Sequence, residues 1–221
     1  MQIALLGGTG DIGQGLALRW AHDTSHDVVI GSRKEQKART KADEYETELD
    51  SRGVEVTVAG HENPDAAAGA DVVVLSVPAY YLSDTIDAVA DELDDAVLVS
   101  PAVGMQRDED GVHYNPPGVG SVTELAAKSA PEDVPVVGAF HNLAAGTLAN
   151  LDADLGWDVP VVADDDDAKE TVEMLVEDIE GLRAVDAGGL GNAAEVESVT
   201  PLLINVASNN DGLHDLGVKF R

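Results

Sequence analysis

Apolar residues fall in short unbroken runs, separated by stretches in which they recur at helical spacing. The runs at 2–7 (QIALLG), 27–31 (DVVIG), 54–59 (VEVTVA), 71–77 (DVVVLSV), 96–100 (AVLVS) and 134–140 (VPVVGAF) are rich in Val, Leu and Ile. A run that is apolar at nearly every position, not every second one, is expected of a parallel strand covered on both faces. The intervening patterns predict helices over about 11–24, 34–51, 80–94 and 121–130. Repeated βα units of this size predict an α/β fold with an open, doubly wound parallel sheet.

The stretch 105–120 (MQRDEDGVHYNPPGVG) is rich in Gly and Pro and shows no period, which predicts a loop. The pattern changes near residue 141. A short helix is expected over 141–151, a strand at 159–162, a helix over about 167–179, a strand over 182–186 and a long final helix over about 192–210. The chain is therefore read as two parts, a larger domain over 1–140 and a smaller C-terminal α+β domain over 141–221.

Charge sharpens this picture. The chain has 42 Asp+Glu against 13 Lys+Arg, a formal net charge of −29, and the acids are spread along its length. A uniform negative field repels nucleic acid and anionic lipid, so neither is expected as a partner. It also costs stability by self-repulsion until molar salt shortens the Debye length to about 3 Å. A cytosolic protein of haloarchaeal type is expected. No apolar run reaches the roughly 18 residues that a membrane span needs. With no cysteine in the chain, thiolate chemistry and disulfides are excluded, and the scattered histidines show no metal-ligand spacing, so no metal is expected. The run Asp164–Asp167 is expected to be a solvated loop whose carboxylates favour the start of the next helix.

Against this background one stretch stands out: IGSRKEQKARTK holds Arg33, Lys34, Lys37, Arg39 and Lys41 with a single acid, Glu35. Its place explains it. The motif Gly8-Thr9-Gly10-Asp11-Ile12-Gly13 fits G-x-G-x-x-G directly after the first strand and opens an amphipathic helix. In a Rossmann-type sheet Gly8 would permit the tight turn, Gly10 the close approach of a pyrophosphate, and Gly13 the packing of helix on strand, with helix amides holding the anion. About 20 residues on, such folds choose between NAD, with an acid for the ribose 2′-hydroxyl, and NADP, with cations for the 2′-phosphate. Here the second strand ends in Gly31-Ser32-Arg33-Lys34, with no acid. Ser32 can donate to a phosphate oxygen and Arg33 can grip two. Lys34, Lys37 and Lys41 share a sector of roughly 60° on the following helix. NADP(H) is the expected cofactor.

Several stretches together, GGTGDIGQGLALR, VVIGSR, VVVLSVP, VLVSP, GAFHNLAAGTLANLD, VESVTPLLIN and LGVKF, resemble the NADPH-dependent reductases of coenzyme F420, the F420:NADP oxidoreductases of methanogens and haloarchaea. The resemblance implies a homodimer and reversible hydride exchange between reduced F420, a deazaflavin, and NADP, with no obligatory catalytic side chain. It places NADP contacts on Thr9, Ser32, Arg33 and Lys37, and the nicotinamide beside Val77 and Pro78. It places the deazaflavin near His141, Ser198 and Thr200, with Ala102 among the small residues that would line a slot for two planar rings. Where that family carries an aromatic directly after the proline, this chain has Ala79 and then Tyr80-Tyr81. Two other readings stay open: a small NADP-dependent imine or carbonyl reductase related to pyrroline-carboxylate reductases, and an NADP-sensing module without catalysis.

Overall fold

The computed structural model describes residues 1–221. Strands β1 (Gln2–Leu6), β2 (Asp27–Ser32), β3 (Val58–Glu62), β4 (Val72–Leu75), β5 (Val97–Ser100) and β8 (Val136–Gly138) are parallel, in the order β3-β2-β1-β4-β5-β8. That is the Rossmann-type order, with its topological switch point between β1 and β4. Beyond β8 the same sheet continues through β9 (Trp157–Ala163), antiparallel to it, and β10 (Leu182–Asp186), parallel to β9. Residues on either side of position 140 thus share one eight-stranded sheet.

Alternate residues of the strands feed two cores. Ile3, Leu5, Val72, Val74, Val99 and Val137 face one side, where α1 (Asp11–Asp23), α2 (Glu35–Ser51) and α7 (Asp166–Glu177) pack; Ala4, Leu6, Val73, Leu75, Leu98 and Val136 face the other. On that second side lie α3 (Asn63–Ala67), α4 (Leu82–Asp87) and α5 (Val122–Ser129). This is why the strands carry apolar residues at every position. Buried Arg19 of α1 ties in α6 (Ala145–Ala149), donating to the carbonyls of Leu148, Asn150 and Ala153. Buried Trp20 donates its indole N–H to the Leu175 carbonyl of α7 at 2.9 Å.

Three expectations need correction. β3 begins at Val58, not Val54, because α2 ends in a turn through Gly53 (φ +80°) whose next amide, Val54 N–H, still bonds the Leu49 carbonyl. The helix expected over 80–94 is broken into short 3₁₀ turns around α4, yet Leu82, Ile86, Val89 and Leu93 keep their apolar stripe in the core. The stretch expected to be a loop contains a hairpin, β6 (Met105–Asp108) and β7 (Gly111–Tyr114). Its strands are four residues long and β6 is wholly exposed, so no periodicity marks it.

The hairpin is held by α8 (Ala193–Ser208), not by its own apolar face. Asn205 of α8 accepts from Val112 N–H at 2.9 Å and donates to the Val112 carbonyl at 2.7 Å. Two turns and more away, fully buried Glu197 accepts from Tyr114 OH at 2.9 Å and from the first amides of α5, Val122 and Thr123. Burial pushes the Glu197 carboxyl above its usual range, while those amide bonds pull it back. The C-terminal tail is fixed by a second buried acid. Asp158, on β9, takes Arg183 in both oxygens, Lys219 at 3.0 Å and the Phe220 amide at 2.6 Å, and the Arg183 hydrogen bonds hold it well below the usual carboxylate range. Asp165 caps α7 by accepting from Ala168 N–H at 2.8 Å, as the acidic run before that helix predicts.

Candidate functional site

The switch point opens as a cleft of about 630 Å³ at the carboxyl ends of β1, β2 and β4. Its floor is the glycine turn. Gly7 has φ +79°, and a Cβ there would stand 2.6 Å from the Ser76 carbonyl oxygen, so the left-handed turn falls on Gly7 and not on Gly8. Gly8 is buried behind it, its carbonyl held by Tyr45 OH at 2.8 Å. A Cβ on Gly13 would lie 2.6 Å from Gly8 Cα and 2.8 Å from Ser76 Oγ, so α1 approaches the strands through this residue. Gly10 sits at the N-cap of α1 with extended backbone and no side-chain cap, and the helix starts in the first turn with Asp11, Ile12 and Gly13. The amides of that turn have no acceptor within the helix and are free for an anion.

One wall comes from the β2–α2 turn. Ser32, Arg33, Lys34 and Lys37 all line the cleft. The basic stretch divides here: Arg39 pairs with Glu35 and Lys41 with Glu44 on the outside of α2, whereas Arg33, Lys34 and Lys37 make no ion pair at all. Three uncompensated cations around one cleft, in a chain of net charge −29, give it a local positive field. Ser32 is buried, with its hydroxyl 3.4 Å from the Lys34 amide that donates to it. Asn63, at the start of α3, adds a buried Oδ1 without a hydrogen-bond partner to the same lining. No local signal in the sequence marks Asn63; only the pairing of β3 with β2 brings it beside Gly31.

The opposite wall follows β4. Val77, Pro78, Tyr81, Asp84, Thr85 and Ala88 line it, and Asp84 is the single acid of the cleft. Across the gap the Arg33 guanidinium carbon lies 4.7 Å from the centre of the Tyr81 ring. Thr9, Gly10, Ser32, Arg33, Lys37, Val77 and Pro78 are thus brought together, with Gly8, Asp11, Ile12 and Gly13 building the turn behind them.

The remaining residues singled out in the sequence lie outside this cleft. Ala102, just past β5, is buried in the core beneath α4 and α5. His141, just past β8, is buried, and burial pushes its imidazole down to about 3, so the ring is neutral. Its Nε2 lies 3.3 Å from Thr123 Oγ1, which is also 2.9 Å from Glu197 Oε1. A hydroxyl has one proton; given to the carboxylate, it leaves the oxygen to accept from His141 Nε2–H. His141 Nδ1 is then a bare acceptor, buried and without a partner. Thr200 donates to the His141 carbonyl at 2.6 Å, tying α8 to this turn, while Ser198 donates to the Glu195 carbonyl within its own helix. Lys219 is already paired with Asp158.

A Rossmann-type sheet with a positively charged cleft at its switch point is the architecture of the dinucleotide-binding folds. The family described as "NADP oxidoreductase coenzyme F420-dependent" matches residues 2–104. A protein of Methanothermobacter thermautotrophicus named F420-dependent NADP reductase is 41% identical over 213 residues, 95% of this chain and 90% of its own length. One of Methanocaldococcus jannaschii with the same name is 40% identical over 209 residues, 93% of this chain and 92% of its own length. A crystal structure from Arthrobacter sp. FB24, described as a candidate F420-dependent NADP reductase, superposes with a TM-score of 0.81 at 25% identity, covering 100% of this chain and 99% of that one. The chain belongs to the F420-dependent NADP reductase family.

Proposed function

We infer that the chain is itself an F420-dependent NADP reductase, passing a hydride reversibly between reduced F420 and NADP. The observation that carries this reading, beside the family, is the trio of unpaired cations at the end of β2, where a 2′-phosphate would stand. The two coenzymes supply the hydride chemistry themselves. The protein's part is to bind, orient and exclude water. On this reading the amides that open α1 hold the pyrophosphate, and Ser32, Arg33 and Lys37 hold the 2′-phosphate. Val77 and Pro78 set the nicotinamide, whereas Ala102, buried in the core, takes no part in the slot first expected of it. A direct transfer makes a specific demand: deuterium at C4 of NADPH appears carbon-bound in reduced F420. Carbon-bound label arising from heavy-water solvent instead would contradict it.

His141, Ser198 and Thr200 are assigned to the deazaflavin side. The free nitrogen of His141 accepts, so it would take an N–H of the deazaflavin's pyrimidine edge and not donate to it. Thr200 acts by holding α8 against the His141 turn, since its hydroxyl donates to the His141 carbonyl, whereas the Ser198 hydroxyl is turned back onto its own helix. His141→Ala is expected to raise the KM for F420 about tenfold, the loss of one buried hydrogen bond, with the KM for NADPH unchanged. An unchanged KM for F420 would remove His141 from the site.

The part from 141 to 221 supplies this pocket and the dimer contacts. Along α8, Val199, Leu203, Ile204 and Val206 are only half-buried and Leu202 is 59% exposed, an apolar face suited to a second copy. A homodimer is the expected species in light scattering, and a monomer at micromolar concentration would refute it. No helix is long and apolar enough to cross a membrane, and a cytoplasmic enzyme of halophilic type fits the acidic composition. Stability should rise steeply from dilute buffer to molar KCl, as charge repulsion is screened. A thermal midpoint that does not move with KCl would exclude the halophilic reading.

A further inference from the structure

The contact between Arg33 and Tyr81 bridges the cleft from one wall to the other. Arg33 stands on the turn after β2 and Tyr81 on the segment after β4, so the pair closes over the carboxyl end of β1, which lies between those strands. Neither side chain is committed elsewhere: Arg33 makes no ion pair and Tyr81 OH makes no hydrogen bond. Tyr81 is 38% exposed and is backed by Tyr80, whose ring centre lies 4.4 Å away at a tilt of 53°. A guanidinium over a tyrosine face is weakly held where water reaches it. A planar purine can replace either partner, stacking on the ring on one side and on the guanidinium on the other.

We propose that Tyr81 is the second wall of the adenine site, and that the Arg33–Tyr81 contact is a latch which the purine displaces by sliding between the two. This rests on the reading of the cleft as the NADP site and adds to it a residue that no phosphate or glycine motif points to. Ser32, Lys37 and the freed Arg33 edge remain for the 2′-phosphate, so purine and phosphate are held by different groups around one turn. Tyr81 therefore serves affinity for the adenosine half alone, with no part in placing the nicotinamide ring.

Calorimetric titration of the full chain with adenosine 2′,5′-bisphosphate, and separately with reduced nicotinamide mononucleotide, tests this. For Tyr81→Ala, affinity for the bisphosphate should fall about tenfold, the loss of one stacked base. The KM for NADPH should rise in step, with kcat and nicotinamide mononucleotide affinity unchanged. Tyr81→Phe, which keeps the ring, should stay within about twofold of the parent. The proposal is overturned if Tyr81→Ala binds the bisphosphate as the parent does, if both fragments weaken equally, or if Tyr81→Phe loses as much as Tyr81→Ala. Should the parent chain bind no bisphosphate at all, the reading of the cleft falls together with the latch. Tight binding by the parent that is indifferent to Tyr81 would leave the cleft standing and remove the latch alone.

Discussion

The double substitution R33D/K34A is expected to lower kcat/KM for NADPH by roughly a hundred- to a thousandfold, and to bring NADPH and NADH to comparable efficiency. Truncating one partner of a desolvated charge pair costs about 2–5 kcal/mol, and each 1.4 kcal/mol is about tenfold. Here one guanidinium and one ammonium are withdrawn and a carboxylate is placed where the 2′-phosphate would stand. The same carboxylate can accept from a ribose 2′-hydroxyl, so the loss falls on NADPH and not on NADH. The local field makes the effect large. Arg33, Lys34 and Lys37 are the cations of the cleft, and nothing in the surrounding acidic surface replaces them. Steady-state kinetics with both coenzymes at fixed F420 would measure it. Retained preference for NADPH would show that the phosphate lies elsewhere.

The second large effect concerns the fold. Glu197→Ala should destabilise the protein by about 3–5 kcal/mol, because it removes the acceptor that four donors share. Those donors are the amides of Val122 and Thr123, the Thr123 hydroxyl and Tyr114 OH. At about 2–4 °C per kcal/mol for a chain of this size, the thermal midpoint should drop by roughly 10 °C. The loss is structural, yet it reaches the deazaflavin side. Without the carboxylate the Thr123 proton is free to turn toward His141 Nε2, and the tautomer that leaves Nδ1 as an acceptor is no longer imposed. Scanning calorimetry in molar KCl checks the first part, and a shift below about 1 kcal/mol would mean that Glu197 is not the anchor of α8, α5 and the hairpin.

What could be recognised in advance was what local sequence encodes. The glycine turn, α1, the second strand and the basic run after it lie within about forty consecutive residues, and each signal there is a matter of spacing along the chain. The covered strands were equally legible, since a sheet packed on both faces leaves no polar phase in Val72–Leu75 or Gln2–Leu6 beyond its first residue. The features that escaped are those made by distant partners. The hairpin at 105–114 depends on Asn205 and Glu197, over eighty positions away. Asn63 faces the cleft only because β3 pairs with β2 from Val58 onward, a register set by where α2 stops. In the sequence Tyr81 is one of two aromatics that follow Ala79, and only the sheet order places it opposite Arg33. At the far end of the basic run spacing alone misleads: Lys41 shares the helical sector of Lys34 and Lys37, but Glu44 one turn on takes its charge.

The central claim is tested most directly by following the deazaflavin absorbance band in molar KCl as the protein is mixed with F420 and either NADPH or NADH. The account predicts rapid bleaching with NADPH and bleaching at least about tenfold slower with NADH, the discrimination expected of one charge-assisted phosphate contact or more. Absence of bleaching with both coenzymes would contradict the assigned reaction, and equal rates with the two would contradict the role given to Ser32, Arg33 and Lys37.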